Sequence, residues 1–152
     1  MGLNLNKTAY DLSDEQPTHS INQSGNYDYQ FIFSPSLAVS YKSSEKSNFY
    51  SSLNHGFSPP TLEETLTPEG IINDEIAPET GWQWELGHRR YDSWGYLGAS
   101  IYSIWVQNLL VARRTGDDQF IGINAGRTRH QGVELESSLF FLNRDQLSLT
   151  QS

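Results

Sequence analysis

The residues of this 152-residue chain most able to do chemistry are acidic side chains gathered in one segment, residues 58–79, which contains no Lys or Arg. The acids of this segment are Glu63, Glu64, Glu69, Asp74, Glu75 and Glu79. The first five, with the preceding Phe57, are candidate ligand-binding residues, because an electronegative lip could meet a cationic or metal-bearing ligand. The alternative is a loop kept soluble by its charge. That interpretation is the simpler one, since no calcium-loop spacing is present.

Signatures of catalysis are missing from the sequence. The histidines are scattered, and no pair of them has metal-ligand spacing. No nucleophile elbow, phosphate loop or dinucleotide fingerprint occurs. Without any Cys, neither a disulfide framework nor a thiolate metal site is available. We therefore predict a protein that is not an enzyme, with no catalytic residue, no metal site and no cofactor.

A second set of carboxylates lies within predicted strands. These residues are Glu85, Glu134 and Glu136. In the predicted phase they point to the polar side of a sheet, where carboxylates usually pair with basic residues. The candidate partners are Arg89, Arg127 and Arg129. We predict a structural wall formed by Glu85, Arg89, Glu134 and Glu136 rather than a catalytic site.

The elements that must position these residues are strands, because strand and turn signals alternate along the whole chain. Seven strands are predicted: Gly2–Tyr10, Tyr29–Tyr41, Ser47–Phe57, Thr80–Tyr91, Trp94–Leu110, Gly122–Phe141 and Gln146–Gln151. The short connections are Lys42–Lys46, Asp92-Ser93 and Asn143–Asp145, and the long ones are Asp11–Asp28, Ser58–Glu79 and Val111–Ile121. Short and long connections alternate strictly, as they do in outer-membrane barrels.

The predicted strands have one apolar and one polar face. Trp82, Trp84 and Leu86 alternate with polar neighbours, and the apolar set is assigned to lipid and the polar set to the lumen. Aromatic residues crowd near predicted strand ends and are assigned to a girdle at the membrane interface. These aromatic residues are Tyr41, Trp82, Tyr91, Trp94 and Tyr96.

Composition excludes some partners. The net charge of −8 argues against nucleic acid, which needs clustered Lys and Arg. Charged residues make up 18% and hydrophobic residues 36%, both below globular averages, which suits strands with one polar face. The segment Met1–Asn6 lacks the pattern of a signal peptide. An exported protein needs one, so we expect that Met1 is not the start of the full protein.

Two local signals predict backbone features. Residues Thr61 to Glu64, after Pro59-Pro60, match a capping box and predict one helical turn within the acidic loop. Gly132, inside a predicted strand, indicates a bulge or the close approach of a bulky neighbour.

Several short motifs follow one another in a characteristic order. They are Phe57-Ser-Pro-Pro-Thr-Leu-Glu-Glu64, Pro78-Glu79, Glu85-Leu-Gly87, Tyr102 with Asn108, Asn124-Ala-Gly126, and Gly132-Val-Glu-Leu-Glu136. With this order and spacing, from about Tyr29 to Phe141, the chain resembles the C-terminal barrel strands of TonB-dependent outer-membrane receptors. These receptors are bacterial importers of iron complexes, cobalamin and some sugars.

The resemblance implies an all-β fold, an antiparallel up-and-down meander of about seven long strands that forms an open curved segment of a 22-stranded transmembrane barrel. It implies a place in the bacterial outer membrane, in contact with its lipid. The implied partners in the full-length protein are a plug domain, the TonB energy-coupling system and a metal-complex or other small nutrient ligand. No plug motif and no aromatic-terminated final strand is visible. We therefore expect residues 1–152 to be an internal part of a receptor, without plug or signal peptide.

Two other architectures fit the strand pattern. One is a complete small eight-stranded outer-membrane barrel, acting as an adhesin or structural protein. The other is a soluble β-sandwich that binds carbohydrate, with aromatic residues buried between two layers. Strand topology separates the three, because they require an open meander, a closed barrel and two packed layers respectively.

Three further expectations follow from this interpretation. Strands adjacent in sequence should be adjacent in the sheet. The chain alone should be unable to close, which leaves unpaired edges. Residues 58–79 should form an extracellular loop that captures or gates a ligand, the alternative being a loop that only covers the barrel mouth.

Overall fold

The computed structural model is all-β and describes residues 1–15, 24–67, 71–117, 119–140 and 146–151. Its strands are β1 (Gly2–Asn6), β2 (Ala9–Leu12), β3 (Gly25–Asp28), β4 (Ile32–Ser44), β5 (Ser47–Ser58), β6 (Glu79–Asp92), β7 (Gly95–Gln107), β8 (Leu110–Gly116), β9 (Gln119–Asn124), β10 (Arg127–Phe140) and β11 (Gln146–Gln151). No helix among the described residues is long and apolar enough to cross a membrane.

Seven strands form one open antiparallel sheet in the order β1-β4-β5-β6-β7-β10-β11. Once the two-stranded hairpins β2–β3 and β8–β9 are set aside, this is the order of the sequence. The predicted meander is confirmed. The sheet is a single layer, so the described residues form neither the two packed layers of a sandwich nor a closed barrel.

The short connections lie at one end of the sheet and the long ones at the other. β6 turns into β7 between Asp92 and Gly95, where Gly95 has a φ of 149°. A side chain at Gly95 would also strike the backbone carbonyl of Ser138, so only glycine fits this turn. The predicted turn Asn143–Asp145 lies outside the described residues.

The two hairpins were not predicted. Most of their residues fall in the segments Asp11–Asp28 and Val111–Ile121, which the sequence analysis assigned to loops. The predicted strand Trp94–Leu110 stops at Gln107 because Asn108 takes a left-handed conformation with φ 56°. The predicted strand Gly122–Phe141 is divided where Gly126 has φ 122°. Each break lets the chain leave the sheet and form the separate hairpin β8–β9.

Cross-strand pairing divides the sheet into an apolar face and a polar face. Directly paired residues share a face. One apolar row joins Leu37, Leu53 and Trp84, and another joins Leu86, Ile101 and Val133. The other face carries the rows of Glu85 and Glu134. The predicted assignment of Trp82, Trp84 and Leu86 to one face is confirmed.

Pairing also corrects four assignments. Arg127 and Arg129 lie opposite Gln107 and Trp105, on the apolar face, and so cannot pair with Glu134 or Glu136 on the polar face. The error was one of phase, because positions of opposite parity on a strand point to opposite faces. Tyr91 and Tyr96 pair with each other on the polar face, so the predicted lipid-facing girdle does not include them.

The only deeply buried apolar side chains among the described residues lie in the long connections. Tyr29 and Ile76 are buried, as is the polar Thr65. Sheet residues such as Leu37, Val39 and Val133 remain exposed on the apolar face. A sheet with one exposed apolar face and one polar face is the pattern of a membrane barrel wall.

Candidate functional site

The described parts of the three long connections pack together at one end of the sheet. We call them the loop cluster: residues 7–15 and 24–31 of the first loop, 59–67 and 71–78 of the second, and 108–117 and 119–126 of the third. The first loop contacts the second through two phenols. Tyr10 donates a hydrogen bond to the carbonyl of Pro60, and Tyr27 donates to the carbonyl of Asp74 at 2.9 Å. These contacts are possible because the β2–β3 hairpin holds Tyr10 opposite Tyr27.

The second loop begins with the predicted capping box. The backbone N–H of Thr61 donates to Glu64 Oε2 at 2.7 Å, and the N–H of Glu64 donates to Thr61 Oγ1 at 3.3 Å. The N–H of Thr65 donates to the carbonyl of Thr61 at 3.1 Å and closes one helical turn. The prediction of a single turn after Pro59-Pro60 is confirmed.

Asn124 joins the second and third loops. Its Oδ1 accepts the N–H of Ala77 at 2.8 Å, and its Nδ2 donates to the carbonyl of Ala77 at 2.9 Å. The same Nδ2 donates to the carbonyl of Asn108 at 2.7 Å. The side-chain amide of Asn124 therefore makes the same two hydrogen bonds to Ala77 that a backbone peptide group of a neighbouring strand would make. Glu79 forms a second connection to the third loop, since its Oε1 accepts a hydrogen bond from the N–H of Leu110 at 2.6 Å.

Tyr29 forms the centre of the cluster. Its ring meets Tyr27 edge-on at 4.7 Å and Tyr10 edge-on at 5.9 Å between centroids. Its hydroxyl is buried without a hydrogen-bond partner. Burial raises the pKa of the Tyr29 phenol to about 12 because the phenolate would lose its hydration.

The structure divides the acidic residues of the second loop into two groups. Glu64 and Glu79 hold backbone N–H groups and are structural. Glu63, Asp74 and Glu75 are exposed, and their carboxylates make no hydrogen bond or ion pair in the described part of the chain. Glu69 lies outside the described residues.

Phe57 lies apart from the acids of the loop. It is half-buried on the apolar face, where it pairs with Thr80. A recess of about 410 Å³ lies between the first two loops and is lined by Tyr27, Phe31, Asp74, Ile76 and Asn108, among others.

The predicted wall residues lie together on the polar face. Tyr50 Oη donates to Glu85 Oε1 at 2.7 Å, and the Arg89 guanidinium stacks on the Tyr50 ring at 4.5 Å. Tyr96 Oη donates to Glu136 Oε2 at 3.1 Å. Arg89 therefore connects to Glu85 through a tyrosine and not through a direct ion pair.

A recess of about 150 Å³ opens between these wall side chains and is also lined by Glu134. The carboxylate of Glu134 is exposed, with no ion pair in the described part of the chain. The polar face thus presents negative charge that the sheet itself leaves uncompensated.

Three glycines of the polar face lie beneath tyrosine rings, and this role of the tyrosines was not predicted from the sequence. Tyr50 covers Gly87, and Tyr96 covers Gly98. Tyr102 covers Gly132, whose added Cβ would lie 2.5 Å from Tyr102 Oη. The close approach predicted at Gly132 is confirmed, and no register shift occurs there. The signal was a glycine within a strand next to a tyrosine-bearing strand.

Groups that could hold a metal are absent from the described residues, where no three His, Asp or Glu side chains come together. The described site consists instead of a packed loop cluster at one end of a two-faced sheet.

This combination of fold and site defines a wall segment of the outer-membrane β-barrel class. The family model for the TonB-dependent receptor-like β-barrel matches residues 2–152. The chain therefore belongs to the TonB-dependent receptor β-barrel family.

Solved structures agree on the fold. The chain resembles the copper transporter OprC with a TM-score of 0.72 and 16% identity, over 98% of this chain and 26% of that one. It resembles the siderophore receptor PirA from Pseudomonas aeruginosa with a TM-score of 0.66 and 20% identity, over 84% and 30%. It resembles the Serratia marcescens hemophore receptor HasR with a TM-score of 0.62 and 17% identity, over 99% and 29%.

The chain thus spans about a quarter to a third of the length of these structures. No curated protein matches it. At these identities the likeness shows the fold alone.

Proposed function

We propose that residues 1–152 are a partial barrel domain, without a plug, of a receptor that imports an iron–siderophore or similar scarce nutrient across the bacterial outer membrane. The observation that carries the proposal is the family match over a two-faced open meander, with all long loops packed at one end. The names of PirA and HasR point to iron-bearing ligands, whereas OprC points to copper. Their shared feature is a metal-bearing nutrient.

The partners follow from the two faces. The apolar face would contact outer-membrane lipid. The polar face, with Glu85, Glu134 and Glu136, would contact a plug domain of the full-length receptor, and basic plug residues would compensate these carboxylates. Energised import would require the TonB system acting on that plug. The domain would carry no catalytic activity of its own.

Uptake by the full-length receptor tests the proposal. The receptor would be expressed in an outer membrane that lacks other importers of the same ligands, with and without TonB. We expect TonB-dependent accumulation of at least one labelled ferric siderophore, haem or copper complex. Accumulation that persists without TonB, or no accumulation from any of these classes, would refute it.

Exposed acids of the second loop would contribute to ligand capture or gating in this receptor. Deleting Glu63 to Glu75, the direct test suggested by the sequence, would also remove the buried Thr65 and the contact of Asn73 Nδ2 with the Gly122 carbonyl at 3.4 Å. A triple neutralisation, Glu63→Gln with Asp74→Asn and Glu75→Gln, changes charge without removing this packing.

The matched control for the triple variant is Glu45→Gln, an exposed acid at the opposite end of the sheet. We expect weaker ligand binding by the triple variant, normal binding by the control, and equal barrel assembly in both. Unchanged affinity and uptake in the triple variant would contradict a role in ligand capture and would favour the alternative, a loop that only covers the barrel mouth.

A further inference from the structure

Two arginines lie on the apolar face of β10 at the end that carries the loop cluster. Arg127 is paired with Gln107, and Arg129 is paired with Trp105. Both arginines are exposed, and neither forms an ion pair with any described residue. By contrast Arg90, on the same face at the other end, lies 3.4 Å from Asp92.

The depth of these arginines in the membrane follows from the residues that lie beside them on the neighbouring strands. The cross-strand row of Arg129 contains His55, Trp82 and Trp105. Tryptophans gather at the membrane–water interface, where an arginine on the lipid side is far better tolerated than at the bilayer midplane. Arg127 lies two residues nearer the loops. Both cations therefore lie at headgroup level.

Two contacts orient the Arg129 side chain. Its guanidinium lies 5.4 Å from the Trp105 ring centroid, and its Nε donates to Ser103 Oγ at 3.4 Å. The terminal amino groups remain without a protein partner in the described part of the chain. A guanidinium oriented in this way presents a planar fork of donors, which matches the oxygens of a phosphate.

Charge complementarity identifies the occupant. Arg127 and Arg129 lie about 7 Å apart on one strand, since alternate residues of a strand are separated by two rises of about 3.3 Å. Their two rows contain no Asp or Glu among the described strands. The anion that reaches this outward side at headgroup level is part of a lipid, and the loop end of a receptor barrel faces the outer leaflet.

We propose that Arg127 and Arg129, with the Trp105 ring, bind the phosphate-bearing headgroup of an outer-leaflet lipid. This site rests on the membrane placement contained in the proposed function. It is separate from the nutrient path, because it lies on the face opposite Glu85 and Glu134.

Lipid binding to the full-length receptor in nanodiscs tests the site. The probes are diphosphoryl lipid A, the same lipid with its phosphates removed, phosphatidylglycerol and inorganic phosphate. The test variant is Arg127→Gln/Arg129→Gln. The control is Lys42→Gln/Arg113→Gln, which removes the same charge from the polar face and from β8 of the third loop. An Arg129→Lys variant keeps the charge and loses the fork.

We expect the test variant to bind diphosphoryl lipid A about tenfold more weakly, as the loss of charge-assisted hydrogen bonds implies. The control should bind as the unmodified receptor does, and Arg129→Lys should lie between. Equal binding by test and control, equal preference for phosphatidylglycerol or the dephosphorylated lipid, or displacement by inorganic phosphate would each overturn the site. Nutrient uptake is measured in parallel, so that failure of the proposed function is recognised independently.

Discussion

At the residue scale, the phenols of Tyr29 and Tyr10 in the loop cluster offer opposite cases: Tyr29 is buried, and Tyr10 is partly buried. The Tyr29 hydroxyl has no partner, whereas Tyr10 donates to the carbonyl of Pro60. An unpartnered buried hydroxyl costs about 1–3 kcal/mol, and a satisfied one contributes about 1 kcal/mol. We predict that Tyr29→Phe stabilises the loop cluster by about 1 kcal/mol and that Tyr10→Phe destabilises it by a similar amount. Limited proteolysis of the loops in the full-length receptor measures both. Faster cleavage of Tyr29→Phe would contradict the assignment.

The same tyrosine makes a pH prediction. The folded pKa of Tyr29 is raised to about 12 from its ordinary value of 10.0, so the folded cluster holds a proton that the unfolded loop releases. Stability of the cluster should be fully present below pH 10 and fall as the pH rises toward 12. Loop cleavage should therefore accelerate between pH 10 and pH 12 in the unmodified receptor, with a smaller acceleration in Tyr29→Phe. Identical pH profiles would exclude Tyr29 as the cause.

Glycines beneath tyrosine rings provide a matched pair of substitutions. At Gly132 an added methyl would lie 2.5 Å from Tyr102 Oη, whereas at Gly56 nothing lies within 4 Å. We predict that Gly132→Ala lowers the free energy of unfolding by about 1–3 kcal/mol through overpacking, and that Gly56→Ala has little effect. Urea unfolding of the full-length receptor in detergent compares the two. Similar losses in both variants would point to backbone entropy instead of the ring.

At the scale of elements, the loop cluster depends on one amide. Asn124 pairs with both backbone groups of Ala77 and with the carbonyl of Asn108. Asn124→Asp replaces the donating Nδ2 with an oxygen that faces two carbonyl oxygens. We predict that this change frees the second loop, with a cost of about 1–3 kcal/mol, and leaves the sheet intact. Selective proteolytic cleavage within residues 59–78, with unchanged electrophoretic mobility of the folded barrel, would show this. Thr115→Ala, at the exposed tip of the third loop, should have no effect.

The sequence predicted these elements unequally. Strand period and turn chemistry were sufficient for β5, β6 and β11, whose observed bounds differ from the predicted ones by at most one residue. They were insufficient for β2–β3 and β8–β9, because hairpin pairing inside a loop is fixed by tertiary contacts. An example is the packing of Gly122 against the carbonyl of Glu64. The motif residues Asn108, Asn124 and Glu79 contribute to the family resemblance, but the hydrogen bonds by which they join the loops depend on tertiary contacts that the sequence does not specify.

At the scale of the whole molecule, phase decided which wall residues could be predicted. Glu85 and Arg89 share a strand and the same parity, so their common face followed from the sequence alone. Arg127 and Arg129 have the opposite parity to Glu134 on the same strand, so their predicted pairing with the wall carboxylates was wrong. The partners on neighbouring strands, such as Tyr50 and Tyr96, depend on register, which a single sequence does not fix.

The open sheet makes the final prediction, which concerns the 152-residue chain expressed alone. The outer edges of β1 and β11 have no partner among the described residues, and β1 pairs only with Ile32 to Ser36 of β4. Unpaired edges template further strand pairing, and lipid does not satisfy their N–H and C=O groups. The apolar face adds exposed side chains along every long strand. We expect the isolated chain to aggregate in water or to require detergent, as size-exclusion chromatography with light scattering would show. A water-soluble monodisperse monomer with a cooperative melt would mean that the chain buries its apolar face and edges by itself, which is incompatible with a segment of a larger barrel.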